Sequence, residues 1–218
     1  MTTHAERTYV PAAGHDWALP LYDPIVTLLG GNRTRKALVD RARLAPGQRV
    51  LEIGCGTGSL LVQIKRSHPD AEVVGFDPDP KALARAKRKA ERAAVALQLD
   101  QASSDDMPYP VASFDRVFSS FMFHHLGADE REKTLREVRR VLEPEGSLHL
   151  LDFGGTDSGS HGSFMRLLHS SHQLQDNSDD RILTLMRQAG FSEVRKVGGG
   201  SMLFGQIRLS YYYGGASG

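Results

Sequence analysis

Seven consecutive residues, Glu52-Ile53-Gly54-Cys55-Gly56-Thr57-Gly58, pair a carboxylate with three glycines where an apolar run gives way to a helical pattern. Glycines let the backbone turn sharply and approach a ligand, and a helix start offers N–H groups that lack intrahelical partners. Asp77 closes the next apolar run, where a carboxylate can accept two hydrogen bonds from the vicinal hydroxyls of a ribose. A tight turn with no ligand is the alternative for glycines alone, but the strand before, the helix after and the acid beyond agree on an adenosine-containing ligand.

The loop is G-x-G-x-G, not the G-x-G-x-x-G of dinucleotide sites, and Glu52 stands two residues before its first glycine. A pyrophosphate on the helix N-terminus would be repelled by that carboxylate, whereas an ammonium would be favoured. S-adenosyl-L-methionine meets these demands with adenosine for Asp77, an amino-acid end for the Glu52 loop and a sulfonium between. A dinucleotide, and hence an NAD(P)-dependent oxidoreductase of Rossmann type, is the weaker reading.

A second cluster, Ser119-Ser120-Phe121-Met122-Phe123-His124-His125-Leu126, follows the fourth apolar run. Methyl transfer from a sulfonium is an in-line displacement, so the protein must align the partners, exclude water and remove any proton on the nucleophile. Ser120 and Phe121 are candidates to line a sulfonium pocket, an aromatic face attracting the cation, and His124 is the candidate general base. The plain alternative makes the aromatic residues core and the histidines caps. Asp152, ending the fifth run, is a second reachable acid, more often a loop-orienting group.

The elements that must position these residues follow from periodicity. After a loose lead-in over 1–20, one short helical pattern ends at Gly30-Gly31, and a second, with Asn32 as N-cap, runs to Leu44. These 44 residues form an N-terminal lead-in and helical cap, and 45–218 form the binding domain. Strands at 49–54, 72–77, 95–100, 114–120 and 146–153 alternate with helices, which predicts a doubly wound α/β sheet with helices on both faces. The helix after Asp79-Pro80 reaches about Ala94 with Leu83, Ala86, Ala90 and Ala93 inward, and Asp129 with Glu132 predicts a capping box for the next. The third strand alternates apolar and polar residues, as an edge strand does. A helix over 178–189 precedes two strands flanking Gly198-Gly199-Gly200, and so short a connection implies an antiparallel hairpin.

On these residues the chain resembles the class I S-adenosylmethionine-dependent methyltransferases. VLEIGCGTGSL is similar to their motif I, and DDMPYPVASFDRVFSSFMFHHL and REVRRVLEPEGSLHLLDF resemble the small-molecule enzymes related to ubiquinone and menaquinone biosynthesis. The resemblance implies a seven-stranded, mostly parallel sheet of order 3-2-1-4-5-7-6 with strand 7 antiparallel. It implies that Glu52, Gly54, Cys55, Gly56 and Gly58 cradle the methionine portion, Asp77 takes the ribose and Pro78 packs on the adenine. Relatives often carry an Asp-Ala pair after strand three, where Ser103-Ser104 stands here, so a serine hydroxyl would meet the adenine amino group. Tyr22 is placed to close over the donor, a partly exposed helix tyrosine being the equal alternative. His15 and Trp17 are candidate acceptor walls, and 9–30 and 154–178 are the segments that would cover the site.

Composition excludes other classes. Lys+Arg 27 against Asp+Glu 26 gives net charge +1, with no global pull toward nucleic acid or anionic membrane. The basic helix carrying Lys81, Arg85, Lys87, Arg88, Lys89 and Arg92 reads as a solvated face opposite its alanine stripe. One cysteine, Cys55, rules out an intramolecular disulfide framework, and because it lies inside the glycine loop no Pro-Cys nucleophile serves covalent pyrimidine methylation. His161, His169 and His172 lack the carboxylates that would complete a metal site. No signal or membrane-spanning segment stands out, so a cytoplasmic protein is expected. What remains is methylation of a small-molecule acceptor at carbon, oxygen or nitrogen, with a non-catalytic donor-binding relative as the other alternative. The oligomeric state stays open, a homodimer included.

Overall fold

A computed structural model describes residues 30–154, 179–202 and 207–216. In chain order the elements are α1 (Gly31–Ala42), β1 (Arg49–Ile53), α2 (Ser59–Ser67), β2 (Glu72–Asp77), α3 (Pro80–Arg92), β3 (Gln98–Gln101), β4 (Phe114–Ser120), a 3₁₀ turn (Phe123–His125), α4 (Ala128–Val141), β5 (Leu142–Phe153), α5 (Asp179–Gln188), β6 (Val194–Met202) and β7 (Ile207–Gly215). The seven strands form one sheet in the order β3-β2-β1-β4-β5-β7-β6, with β7 antiparallel to both neighbours, as the resemblance implied.

Two apolar layers cover the sheet. Leu51, Ile53, Val74, Phe76, Val117 and Leu150 face α4 and α5 on one side. Val50, Val73, Phe118 and Leu151 face α1 and α2 on the other. This follows from the period of two along each strand, and the near-continuous apolar character of β1 and β2 reflects burial on both faces. The alternating β3 is the edge, with its outer residues exposed.

Several local expectations need correction. α1 is capped by Gly30, not Asn32, which lies inside the first turn. α3 begins as expected, Asp79 accepting a hydrogen bond from the Lys81 N–H at 2.8 Å with Pro80 in the first turn, but ends at Arg92 and buries Ala82 with Ala86 and Ala90. The reciprocal cap of α4 is Glu130, which accepts from the Gly127 N–H at 2.9 Å, while Glu132 pairs with Arg136 on the exposed face. A carboxylate three residues into the helix reaches back to the cap, and Glu130 stands in that relation to Gly127. Gly198-Gly199-Gly200 is part of β6, paired with Leu209 to Tyr211, so the hairpin connection falls on 203–206, outside the described residues. Glycine there marks a register irregularity between Lys196 and Gly198 instead of a reversal.

Candidate active site

The register levels the carboxyl ends of β1, β2, β4 and β5, and nearly every candidate residue gathers there. Glu52 pairs with Gly75 on one side and Phe118 on the other, and Ser120 pairs with Leu151. Glu52 and Ser120 project to the face shared with α1 and α2, where the Ser120 hydroxyl donates to Glu52 Oε1 at 3.1 Å. The second oxygen, Oε2, is buried with no hydrogen-bond partner among the described residues. Burial pushes the Glu52 carboxyl up to about 8, against the opposing Arg35 charge and the Ser120 hydrogen bond.

The glycine loop shows why these positions carry no side chain. Gly56 has φ +52°, a left-handed conformation, and a Cβ built there would meet nothing within 4 Å. That position is strained for other residues and opens onto free space, as a ligand cradle requires. Gly54 is different, since its Cβ would lie 2.3 Å from Met122 Cγ, so Met122 closes over the loop. Asp77 is buried and ties the loop down, accepting from the Gly56 N–H at 2.8 Å and the Asp79 N–H at 2.9 Å. Burial raises its carboxyl despite those two bonds, and its remaining lone pairs can take further donors. Pro78 is exposed beside it, its carbonyl accepting from Gln101 Nε2 at 3.2 Å.

Three expected residues are placed less directly. Cys55 contributes backbone, its N–H donating to the Phe76 carbonyl at 2.9 Å, while its side chain packs in the core and burial raises the thiol well above its ordinary range. Ser103 donates to Asp105 at 2.6 Å and Ser104 shares a 2.8 Å hydrogen bond with Thr134 of α4, so both hydroxyls are engaged within the chain. Tyr22, His15 and Trp17, the segment 155–178 and its three histidines lie outside the described residues.

Phe121 holds φ +56°, rare for a large side chain and worth about 1–3 kcal/mol of strain. Its N–H donates to the Leu151 carbonyl at 2.9 Å, and its ring lies 5.6 Å from Phe153. The turn after it carries His124, fully buried against Asp152 at the end of β5. Asp152 Oδ1 sits 2.7 Å from His124 Nδ1, and Oδ2 accepts from the His124 N–H at 2.8 Å. Burial works to raise the Asp152 carboxyl, but the adjacent His124 charge and these bonds outweigh it and hold the group below its ordinary range. A carboxylate only accepts, so Nδ1 of His124 carries the hydrogen of this bond and Nε2 is the ring nitrogen not bound to Asp152. Arg131 of α4, also buried, donates to the Leu126 carbonyl at 3.0 Å and the His124 carbonyl at 3.4 Å, bracing the turn.

Two residues were missed in the sequence. Met122 gave no signal, because its role is a contact with a distant loop. Arg35 gave one, since it shares a helical face with Leu38, Val39 and Ala42 and so places a guanidinium on the buried side of α1.

The set fits a nucleoside bearing an amino-acid end: open space over Gly56, a carboxylate at β2 and an unpartnered buried carboxylate oxygen for an ammonium. Comparison with known proteins agrees. Residues 50–146 match the family described as "Methyltransferase domain". The chain is 36% identical over 151 residues to the demethylmenaquinone methyltransferase of Thermus thermophilus, covering 68% of each protein. It is 32% identical over 204 residues to an uncharacterized methyltransferase of Synechocystis sp., covering 90% of this chain and 93% of that one. A SAM-dependent methyltransferase from Aquifex aeolicus superposes with TM-score 0.64 at 20% identity, over 83% of this chain and 88% of that one, and so shares the fold. The chain belongs to the class I S-adenosylmethionine-dependent methyltransferases, among those related to ubiquinone and menaquinone biosynthesis.

Proposed function

We propose that this enzyme methylates a small hydroxylated aromatic acceptor, a quinol or phenol, with His124 as the base that takes the acceptor's proton. The observation that carries this reading is the buried His124–Asp152 pair at 2.7 Å, beside the donor cradle. The names of relatives that act on demethylmenaquinone support an aromatic ring as acceptor.

When bound, the donor supplies an activated methyl group on a cationic sulfur. The chain's own residues do the rest. Glu52, the Gly54–Gly58 backbone, Asp77 and Pro78 hold the donor, and Ser120 and Phe121 border the sulfonium. Asp152 fixes the His124 tautomer, so that Nε2 accepts the hydroxyl proton as negative charge is delivered into the ring. The charge raises the nucleophilicity of the phenolic oxygen and of its ortho carbon, and either atom can take the methyl.

Incubation with labelled donor and a panel of reduced naphthoquinols and simple phenols tests this, read by mass spectrometry. One product heavier by a methylene unit is expected, and His124→Ala should lower its turnover at least ~100-fold while S-adenosylhomocysteine affinity stays within about twofold. Donor binding without product from any ring acceptor would reject the acceptor class. Unchanged turnover in the variant would make His124 structural.

A further inference from the structure

The helices divide the charge of this protein unevenly between the two faces of the sheet. α3 carries six cations against Glu91 alone, α1 four against Asp40, and α2 two with no acid, a net +10 over the three helices of one face. On the other face α4 and α5 carry seven cations against six acids, a net +1. The whole chain is +1, so the positive charge is gathered on one side by the fold and is not a matter of composition.

The pairing of charges differs as well. On α4, Glu132 binds Arg136 and Glu137 binds Arg140, the alternation of signs that suits a helix face turned to water. α3 instead sets Arg85, Arg88 and Arg92 at three- and four-residue steps, where like charges repel. Arg66 of α2 and Lys87, Arg88 and Arg92 of α3 are exposed, and none of the four forms an ion pair among the described residues. Such a face is complemented by a polyanion lying across it. The three helices contain no Phe, Trp or Tyr, the side chains on which single-stranded nucleic acid stacks its bases. A bilayer of anionic lipid asks only for charge spread over a broad face, and clustered Lys and Arg on an amphipathic helix supply it.

We infer that the face formed by α1, α2 and α3 docks this protein on anionic lipid bilayers. α3 buries Ala82, Ala86 and Ala90 against the protein, so the contact is electrostatic and inserts no apolar side chains. α3 starts directly after the Asp77-Pro78-Asp79 end of β2, so the docked face adjoins the carboxyl edge of the sheet. An apolar quinol or phenol partitions into lipid, and docking brings the enzyme beside the phase that holds it. That consequence rests on the acceptor reading above, whereas the docking itself does not.

Co-sedimentation of the full chain with phosphatidylcholine vesicles, with and without phosphatidylglycerol, tests docking in the absence of donor and acceptor. Binding should be at least ~10-fold tighter to the phosphatidylglycerol vesicles at low salt and should be screened away at high salt. Arg88→Glu/Arg92→Glu should weaken it ~10-fold or more, with melting temperature and S-adenosylhomocysteine affinity near the parent's. Arg88→Gln/Arg92→Gln should give a smaller loss, and it serves if the reversed pair fails to fold. Lys133→Glu/Arg187→Glu makes the same change in net charge on α4 and α5 and should leave vesicle binding within about twofold. Equal binding to both kinds of vesicle, or equal losses in the α3 and the α4–α5 variants, would overturn the inference. So would an RNA that strips the protein from the vesicles at matched phosphate, which would assign the face to nucleic acid. Failure of docking leaves the acceptor reading standing, since no acceptor enters the measurement.

Discussion

Two histidines of this protein are equally buried, and their surroundings differ. His149 lies in the interior of β5, stacked on Phe118 at 5.4 Å, edge-on to Tyr213 at 5.5 Å and sharing a 3.0 Å hydrogen bond with Ser147. Burial, reinforced by the Arg116 and Arg195 charges, drives it down to about 3, so it is a neutral ring that fills space. Asp152 is three residues further along the same strand and so projects to the opposite face, where it meets His124. A buried imidazole becomes a usable base when a carboxylate orients it and stabilises its cation, and burial by itself gives only packing. The carboxyl edge of the sheet sets Asp152 against His124, while the interior of β5 sets His149 among rings.

Substituting across this contrast should give graded effects. The largest is expected for Asp152→Asn, which keeps an acceptor for the His124 N–H but removes the charge that fixes the ring. Turnover should fall by about 100-fold or more with donor affinity within about twofold, measured by steady-state kinetics beside calorimetry. A loss confined to donor affinity would place Asp152 with the cradle instead of the base.

The next effect concerns Glu52. Its carboxyl is raised from 4.5 to about 8, so the unliganded protein holds this proton at pH 7 while the unfolded chain does not. Stability from this group is full below pH 4.5 and is lost as pH rises toward 8. An ammonium beside it reverses the preference, so donor binding should release a proton and tighten as pH rises toward 8. Titrations in buffers of different ionisation enthalpy should show that release in the parent and not in Glu52→Gln, whose affinity should be about tenfold weaker. Proton release that persists in Glu52→Gln would assign it to another group.

The smallest effect should come from His149→Phe. Because its folded value lies near 3 against an ordinary 6.5, His149 contributes stability above pH 6.5 that is lost as pH falls toward 3. The variant should leave turnover within twofold and cost about 1 kcal/mol at pH 7 through the Ser147 hydroxyl left unpaired. Its melting temperature should decline less steeply than the parent's between pH 6.5 and 4. A parallel decline in both would show that another group governs the acid side.

Much of the candidate donor site was legible because its signals are local. A strand, a glycine turn and a helix are contiguous in Glu52–Gly58, and Asp77 closes the next strand, so backbone geometry alone brings them to one edge. The misplacements concern features whose outcome depends on a partner. Gly198–Gly200 reads as a turn locally, yet pairing with Leu209–Tyr211 extends the strand through it. Asp129 and Glu132 have cap-like spacing, but the chain turns one residue pair earlier, at Gly127 and Glu130.

By itself the sequence determined the order of strands and helices, the glycine cradle, its two acids and the candidate base, since each depends on neighbours a few residues apart. Only the tertiary structure decided that Asp152 grips His124 across 28 positions, that Glu52 keeps one oxygen without a hydrogen-bond partner among the described residues, and that Arg35 reaches the Phe121 ring from a separate helix. The pairing and isolation of buried charges are set by which distant elements pack together, and no local pattern records that.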